Sequence, residues 1–408
     1  MTSPQESGSD IEVSVTAVAY GGDGVGRVEG VVCFVPGALP GDVVRARVYR
    51  RVKNTMWARL LEVLVPAPCR DSGGECAGRA CAAACAWRAF TYPEQGTWKR
   101  RIVEESVKRI GGLSASVALV ETPSLRLGYR TRAIFHGDGA ALGYYAPRTH
   151  DVISLPPCPL NHPRLNDALE QLRPLGIRGH VQVTVNPDTD ETLVWLRKPV
   201  SAVRAVFPLT NTPADDDRAQ FEFDGVPIVN GTFSQASLLL NRLLRAETDK
   251  RIGNADSLLD LYCGNGNLSL GQGAQTSVLG IDEDAAAVAA ANQQGPGAYR
   301  RGDERAMVKA IARQPWDVIL LDPPRTGAKA LVPALTNAEA GRIVYVSCNP
   351  TTFARDAAGL AAGGWALTSL AALDMFPHTP HVESIGVFER NGRSACEQQN
   401  DLCIRGQQ

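Results

Sequence analysis

Apolar and polar positions alternate with a period of two from Ile11 to about Val65. The runs IEVSVTAVAY, VVCFVPGAL, PGDVVRARVYRR and MWARLLEVL are separated by Gly- and Pro-containing turns such as GGDGVGR. That period predicts half-buried strands, and five short strands between tight turns predict a small barrel. Residues 66–90 lose all periodicity and read as a cysteine-bearing loop. The run WKRRIVEESVKRI returns to a helical period, and YRTRAIFHG, ALGYYAP, VQVTVNP and TLVWLRK read as strands. TNTPADDDRAQ reads as a polar loop. From Ser257 the pattern becomes apolar strand, glycine turn, helix: SLLDLYCGNGNLSL, SVLGIDED, WDVILLDPP and GRIVYVSCNP. Apolar strands alternating with helical stretches predict a doubly wound parallel sheet. The expected class is therefore α/β: an OB-like barrel over 1–66, a mixed α+β region over 67–245, a Rossmann-like region over 246–395, and a frayed tail over 396–408. Residues 1–10 are polar and expected to be disordered.

Composition narrows the picture only a little. The chain has 408 residues, 44% of them hydrophobic, enough for a substantial core. Lys plus Arg is 42 and Asp plus Glu is 43, so bulk charge holds no polyanion and any nucleic-acid contact must be local. One such patch is visible: Arg45, Arg47, Arg50, Arg51, Lys53 and Arg59 lie in one stretch without an acid, with Tyr49 and Trp57 between them. It suits single-stranded RNA, and equally a solvated strand face. No apolar run is long enough to span a bilayer, and the expectation is a cytoplasmic protein with no membrane contact and no obligate protein partner.

The candidate chemistry sits at predicted strand ends. Asp260-Leu-Tyr262-Cys-Gly264-Asn-Gly266 follows one strand and is expected to open a helix, its glycines letting backbone approach a ligand. Asp282 ends the second strand, where an acid can accept from both ribose hydroxyls, and Asp303 follows a third, placed to reach an adenine amino group. Position 269 is Ser, so the full dinucleotide fingerprint is absent. Asp322-Pro-Pro-Arg325 and Cys348-Asn-Pro end the next two strands, and Asp374-Met-Phe-Pro-His378-Thr-Pro-His381-Val-Glu383 comes after them. The two histidines read as turn caps with no catalytic role.

Taken together, DLYCGNG, LLDPPRTGA, VYVSCNP and DMFPHTPHVE resemble the uracil-C5 RNA methyltransferases that use S-adenosylmethionine. AVAYGGDGVGRV is similar to the RNA-binding TRAM barrel of many members, and the likeness covers nearly the whole chain. The resemblance implies that Cys348 is the nucleophile and Glu383 the general base. It implies that Gln235, beside Phe233, lies near the methyl donor, and that Tyr262, Gly264, Asp282, Asp303 and Asp322 line the donor and base pocket. The chemistry agrees: a thiolate added at C6 makes C5 an enolate carbon able to take a methyl group, and a base must then remove the C5 proton. Cytosine-C5 enzymes resemble this scheme but carry a second Cys in the Asp-Pro-Pro motif, where this chain has none. The implied partner is RNA, 23S ribosomal RNA favoured over transfer RNA. A non-catalytic RNA-binding protein, or an iron–sulfur redox protein on the same frame, are the rival readings.

Members with the TRAM barrel usually hold a [4Fe–4S] cluster on four cysteines. Here the cysteines run Cys69-x6-Cys76-x4-Cys81-x3-Cys85, with Cys158 far downstream. Cys69, Cys81, Cys85 and Cys158 are the expected ligands, with Cys76 as the rival to Cys81; zinc or free thiols are the alternatives to the cluster. Two further departures are Ser237 where relatives usually have Asn, and Asp282 where many have Glu.

Overall fold

The computed structural model describes residues 8–71, 85–146, 149–154, 156–272 and 275–390. The expected tail, Cys76 and Cys81 lie outside them, as do residues 1–7 of the expected disordered start. Strand β1 already begins at Asp10, because Asp10 pairs with Arg47 through both backbone register and a 2.7 Å ion pair.

Five strands form a closed barrel in the order β1-β2-β3-β5-β4: β1 Asp10–Val18, β2 Gly24–Val28, β3 Val31–Val35, β4 Val43–Val52 and β5 Thr55–Val65. The period-two apolar set (Val13, Val15, Cys33, Val35, Val44, Ala46, Met56, Ala58) points inward and is buried. The basic patch divides in two. Arg45 and Arg47 pair with Glu62 and Asp10, whereas Arg50 lies 4.6 Å over the Trp57 ring, which stacks on Phe34.

Helix α1, Tyr92–Arg109, begins six residues before the helical pattern expected from sequence, with Pro93 in its first turn. It packs its Val103 and Val107 with Val117 of β6, Val117–Val120, into the core of the C-terminal sheet. Next comes a six-stranded sheet, order β12-β11-β10-β7-β8-β9. Its strands are β7 Arg132–Asp138, β8 Leu142–Tyr145, β9 Val152–Ile153, β10 Arg178–Val185, β11 Thr192–Leu196 and β12 Thr210–Asn211. One face is covered by α2, Pro163–Leu172, and α3, Ser201–Val206. A hairpin of β13, Gln220–Phe223, and β14, Val226–Val229, packs on Leu193 and Leu238.

After α4, Leu238–Ile252, the parallel units begin: β15 Ser257–Leu261, β16 Ser277–Asp282, α5 Ala285–Gln294, β17 Ala298–Arg301, α6 Glu304–Ile311, β18 Trp316–Leu321, α7 Val332–Thr336, β19 Ala340–Ser347 and α8 Pro350–Ala362. The chain ends in β20 Trp365–Leu373 and β21 Glu383–Arg390. The sheet order is β17-β16-β15-β18-β19-β21-β20-β6. Sequence order reverses between β15 and β18, the switch point outside which open sheets bind ligands. β21 alone runs antiparallel to its neighbours, with Ser347 opposite Ser384. Its first residue therefore lies at the rim formed by the last residues of the parallel strands.

One buried carboxylate joins the barrel to the segment after β5. Asp42 accepts the amides of Leu39 at 2.6 Å and Ala67 at 2.8 Å and is held by the Arg70 guanidinium. Burial raises its pKa, but Arg70 and the two amides outweigh that and leave it below the ordinary 3.8. An acid with a depressed folded pKa stabilises above its unfolded pKa and loses that contribution as pH falls through the folded value. Asp42→Asn is expected to cost about 1–3 kcal/mol at pH 7, the cost of leaving buried donors poorly matched. In urea titrations the deficit against the unaltered protein should shrink below pH 3.8; a deficit independent of pH would contradict it.

Candidate active site

A cavity of about 590 Å³ opens at the switch point. Its lining includes Gln235, Tyr262, Gly264, Asp282, Asp322, Cys348 and Glu383, seven of the residues singled out from sequence. Phe233, Asp260, Arg132 and Arg325 also line it.

Each wall results from local folding. Tyr262 adopts φ 60° just after β15, and its hydroxyl donates to Glu304 at 2.9 Å. Gly264 takes φ 53°, and a Cβ there would project into open space. Its amide donates to one carboxylate oxygen of Asp282 at 2.9 Å, while the amide of Asp284 donates to the other at 2.8 Å. The Asp282 carboxylate is thus fixed at the end of β16, shorter than Glu by a methylene but braced from both sides. The segment after Gly266 forms consecutive tight turns instead of the expected helix. Two left-handed glycines begin it, Ser269 donates to Asp260 at 2.6 Å, and Asn265 and Asn267 bond to Pro227 and Asn241. These bonds anchor the segment outward, in competition with a regular helix.

The loop after β18 is tied to α8. The Ala328 amide donates to Asp356 at 2.8 Å, as does the Tyr345 hydroxyl, and Asn349 and Thr352 both donate to the Arg325 carbonyl. Asn349 also caps α8, accepting from Thr351 at 3.0 Å, which ends β19 and leaves Cys348 at the rim. Ser237 is the N-cap of α4, accepting from Leu240 at 2.9 Å. Asp303 lies outside the cavity lining; it caps α6 by accepting from Ala306 at 3.0 Å.

Electrostatically the site is short of positive charge. Glu383 is buried, and burial followed by the charge of Asp322 pushes its pKa well up, with Arg325 opposing. Burial pushes Asp322 upward as well. Both shifts favour the neutral form of these neighbouring carboxyls, because each negative charge would be poorly solvated and would repel the other. Burial, then Glu383 and Asp322, push the Cys348 thiol up to about 12, against the pull of Arg325. Burial likewise holds His381 down at about 4, so that imidazole is neutral. His378 sits at φ 64°, its amide donating to Gln95 at 2.8 Å and its carbonyl accepting from Trp87.

Sequence reading missed two contributors. Arg132 enters the cavity from β7, its guanidinium 5.7 Å over the Phe233 ring; the available signal was an arginine inside a strand. Tyr20, from the barrel, reaches the Cys348 carbonyl at 3.5 Å, which no local pattern marks.

The same geometry has counterparts in known proteins. A TRAM domain model matches residues 4–61, and the tRNA (Uracil-5-)-methyltransferase model matches residues 300–391. Over 94% of its length the chain is 31% identical to a 23S rRNA (uracil(1939)-C(5))-methyltransferase of Nitrosospira multiformis, covering 99% of that protein. The chain belongs to the RNA uracil-C5 methyltransferase family. Another member of the family, the enzyme of that name from Alkalilimnicola ehrlichii, is 29% identical over 94% of this chain and 97% of its own. The family fold is seen in the crystal structure of Pyrococcus abyssi tRNA (uracil-54, C5)-methyltransferase, which was solved with S-adenosyl-L-homocysteine. Its TM-score is 0.73 at 23% identity, over 93% of this chain and 100% of that one.

Among the described residues, the three expected metal-ligand cysteines Cys69, Cys85 and Cys158 fall into two apolar clusters. Cys85 and Cys158 pack in one with Tyr129 and Leu160. Cys69 packs with Trp87 and Phe90 in the other, its thiol donating to the Pro40 carbonyl at 3.3 Å. The Thr91 amide bonds to Cys69 and the Asp71 amide to Ala89, so residues 69–71 lie against 89–91. Among the described residues no group of three or more His, Cys, Asp or Glu is arranged to hold a metal ion.

The raised thiol pKa has a direct test. Carbamidomethylation of Cys348, read by mass spectrometry of its peptide, should be slow at pH 7 and rise about tenfold per pH unit while the thiolate remains the minor form. Glu383→Gln removes a repelling carboxylate and should speed alkylation above pH 8. Fast alkylation at pH 7 in the unaltered protein would contradict the assignment.

Proposed function

We propose that this protein methylates C5 of a uridine in RNA, 23S ribosomal RNA favoured, with S-adenosylmethionine as donor and Cys348 and Glu383 as the catalytic pair. The observation that carries this reading is that the antiparallel entry of β21 brings Glu383 to the cavity that Cys348 lines, although 34 residues separate them in sequence. The relatives named for 23S uracil-C5 methylation span nearly the whole chain and favour the ribosomal substrate.

The residues present fit the donor. Asp282 offers a braced carboxylate at the end of β16 for ribose hydroxyls, the backbone at Gly264 faces open space, and Tyr262 and Gln235 stand on adjoining walls. When bound, S-adenosylmethionine supplies an electrophilic methyl group. Everything else is the work of the chain. Cys348 loses its thiol proton to solvent water and adds through sulfur to C6 of uracil, so the ring electrons gather at C5 and O4. Asp322, whose neutral form burial favours, can in that form donate a hydrogen bond to the developing oxyanion. Once C5 has spent that electron pair on a bond to the methyl carbon, Glu383, as carboxylate, takes the C5 proton, and the pair of electrons released re-forms C5=C6 as sulfur departs. Desolvation makes Glu383 a stronger base than a free carboxylate, which suits a carbon acid. A uridine in folded RNA must leave its stack to enter the cavity, and the exposed Phe233 ring at the mouth offers a face for it.

A [4Fe–4S] cluster on Cys69, Cys81, Cys85 and Cys158 belongs to the same proposal. It is supported by Cys85 and Cys158 sharing one apolar cluster and by the pairing of 69–71 with 89–91. Thiolates of this number suit such a cluster, and its role here is to brace the loop segments; zinc is the alternative. The chemistry needs no electron transfer.

Three outcomes are expected. Cys348→Ala abolishes methyl transfer to unmodified 23S transcript, and robust turnover by it would end the covalent mechanism. Glu383→Gln slows turnover about 10²–10⁴-fold and accumulates a covalent protein–RNA band on denaturing gels; slow turnover without that band would remove Glu383 as base. Protein purified without oxygen shows broad visible absorbance that is lost with the Cys85→Ala and Cys158→Ala substitutions, whereas a colourless protein containing zinc would replace the cluster.

A further inference from the structure

The six-stranded sheet has one face packed on α2 and α3, while parts of its other face stay exposed. Period-two register fixes what that open face carries: Arg132, Ile134 and His136 on β7, Arg178, His180 and Gln182 on β10, and Tyr145 on β8. Ile134 is 43% exposed, and Arg178 and His180 are exposed outright. His136 pairs directly with His180 across the two strands.

The rings there are in contact. The Tyr145 ring stacks on His136 with centroids 3.7 Å apart and 13° between planes. His180 meets His136 edge-on at 4.6 Å, and His150 meets Tyr145 edge-on at 5.2 Å. Three of the six histidines in the chain are thus gathered on this one patch. The cluster lies apart from the packed core, whose side chains Ala133, Phe135, Val181 and Val183 point to the opposite face. Asp138, at the end of β7, is occupied by the amides of Ala140 and Ala141, with Arg178 beside it.

The patch is continuous with the active-site cavity. Arg132 lines the cavity and donates to Gln182 at 2.8 Å; Gln182 stands two residues from His180 on the same strand. From Arg132 to His136 along β7 is about 13 Å, which is roughly four stacked nucleotides at about 3.4 Å each.

We propose that the His136–Tyr145–His180 cluster is a second stacking station for RNA, which holds an unpaired base a few nucleotides from the target uridine. Aromatic and imidazole faces accept unstacked bases of any sequence, while Arg132 and Arg178 meet the negative backbone. The occupant is single-stranded RNA: face-on rings with flanking guanidinium groups complement a base and its phosphates. The inference rests on the RNA reading above and extends it to a site outside the catalytic cavity.

Fluorescence anisotropy with labelled oligouridylate tests it without relying on catalysis. Tyr145→Ala, and independently the exposed His180→Ala, should weaken binding about tenfold. Tyr145→Phe, which keeps the ring, should bind within about twofold of the unaltered protein. The salt dependence of binding should keep its slope in Tyr145→Ala, since stacking releases no counterions. On a methylatable RNA the loss should appear in KM, and on a fragment trimmed to the target loop it should vanish. Oligouridylate binding unchanged in both alanine variants would overturn the proposal. Absence of methyl transfer by the unaltered protein would instead strike the function proposed above and leave the anisotropy result to stand by itself.

Discussion

A single antiparallel strand in a parallel sheet governs the chemistry this molecule can perform. Parallel strands deliver only their carboxyl ends to the ligand rim, so β15, β16, β18 and β19 bring Tyr262, Asp282, Asp322 and Cys348 there. β21 arrives from the other direction and delivers its amino end, which is Glu383. The strands that carry the acid and thiol have a buried apolar cluster that includes Val346, Leu373 and Ile385. Desolvation does the rest. It raises both carboxyls and the thiol together, and with Arg325 as their opposing charge the site is electrostatically incomplete without its ligands.

Holding Glu383 at the rim requires the loop before it to be rigid. That loop rests on a buried polar network. Lys99, fully buried on α1, donates to Asp374 at 2.5 Å and to the Phe376 carbonyl at 2.9 Å, and Tyr92 donates to the other Asp374 oxygen. Gln95 clamps His378 and the Trp87 and Phe90 carbonyls. Burial lowers the Lys99 pKa while Asp374 resists, an arrangement that tolerates the loss of neither partner. Because Trp87 stands two residues after Cys85, the same bonds tie Cys85 to the loop bearing the acid. The barrel meets the same loop: Gly22 packs against Pro380 and Trp87, and Tyr20 touches the Cys348 carbonyl. The barrel is therefore in contact both with Cys348 and with the loop that leads to Glu383.

Net charge near zero conceals how the basic groups are used. On the barrel, Arg45 and Arg47 are tied up in ion pairs, while Arg50 rests on Trp57. On the sheet, Arg132 and Arg218 lie over Phe233 and Trp195. Guanidinium groups stacked on rings keep their charge and lose little by being held in place, which suits contact with both bases and phosphates.

Much of this was legible in the chain. Period-two runs and glycine turns determined the barrel, and apolar runs ending in DLYCGNG, LLDPPR and VYVSCNP determined the parallel sheet and where its chemistry lies, because those patterns are local consequences of strand geometry and turn sterics. The tight turns after Gly266 and the early start of α1 were decided by side-chain bonds to distant segments, such as Asn265 to Pro227. Asp303 caps its own helix through one carboxylate oxygen, a contact three residues away in sequence. The approach of Glu383 to Cys348, the entry of Arg132 and Tyr20, and the displaced acidities belong to the tertiary structure alone. They depend on which strands become neighbours and on how much water that excludes, and neither is a property of residues close together in sequence.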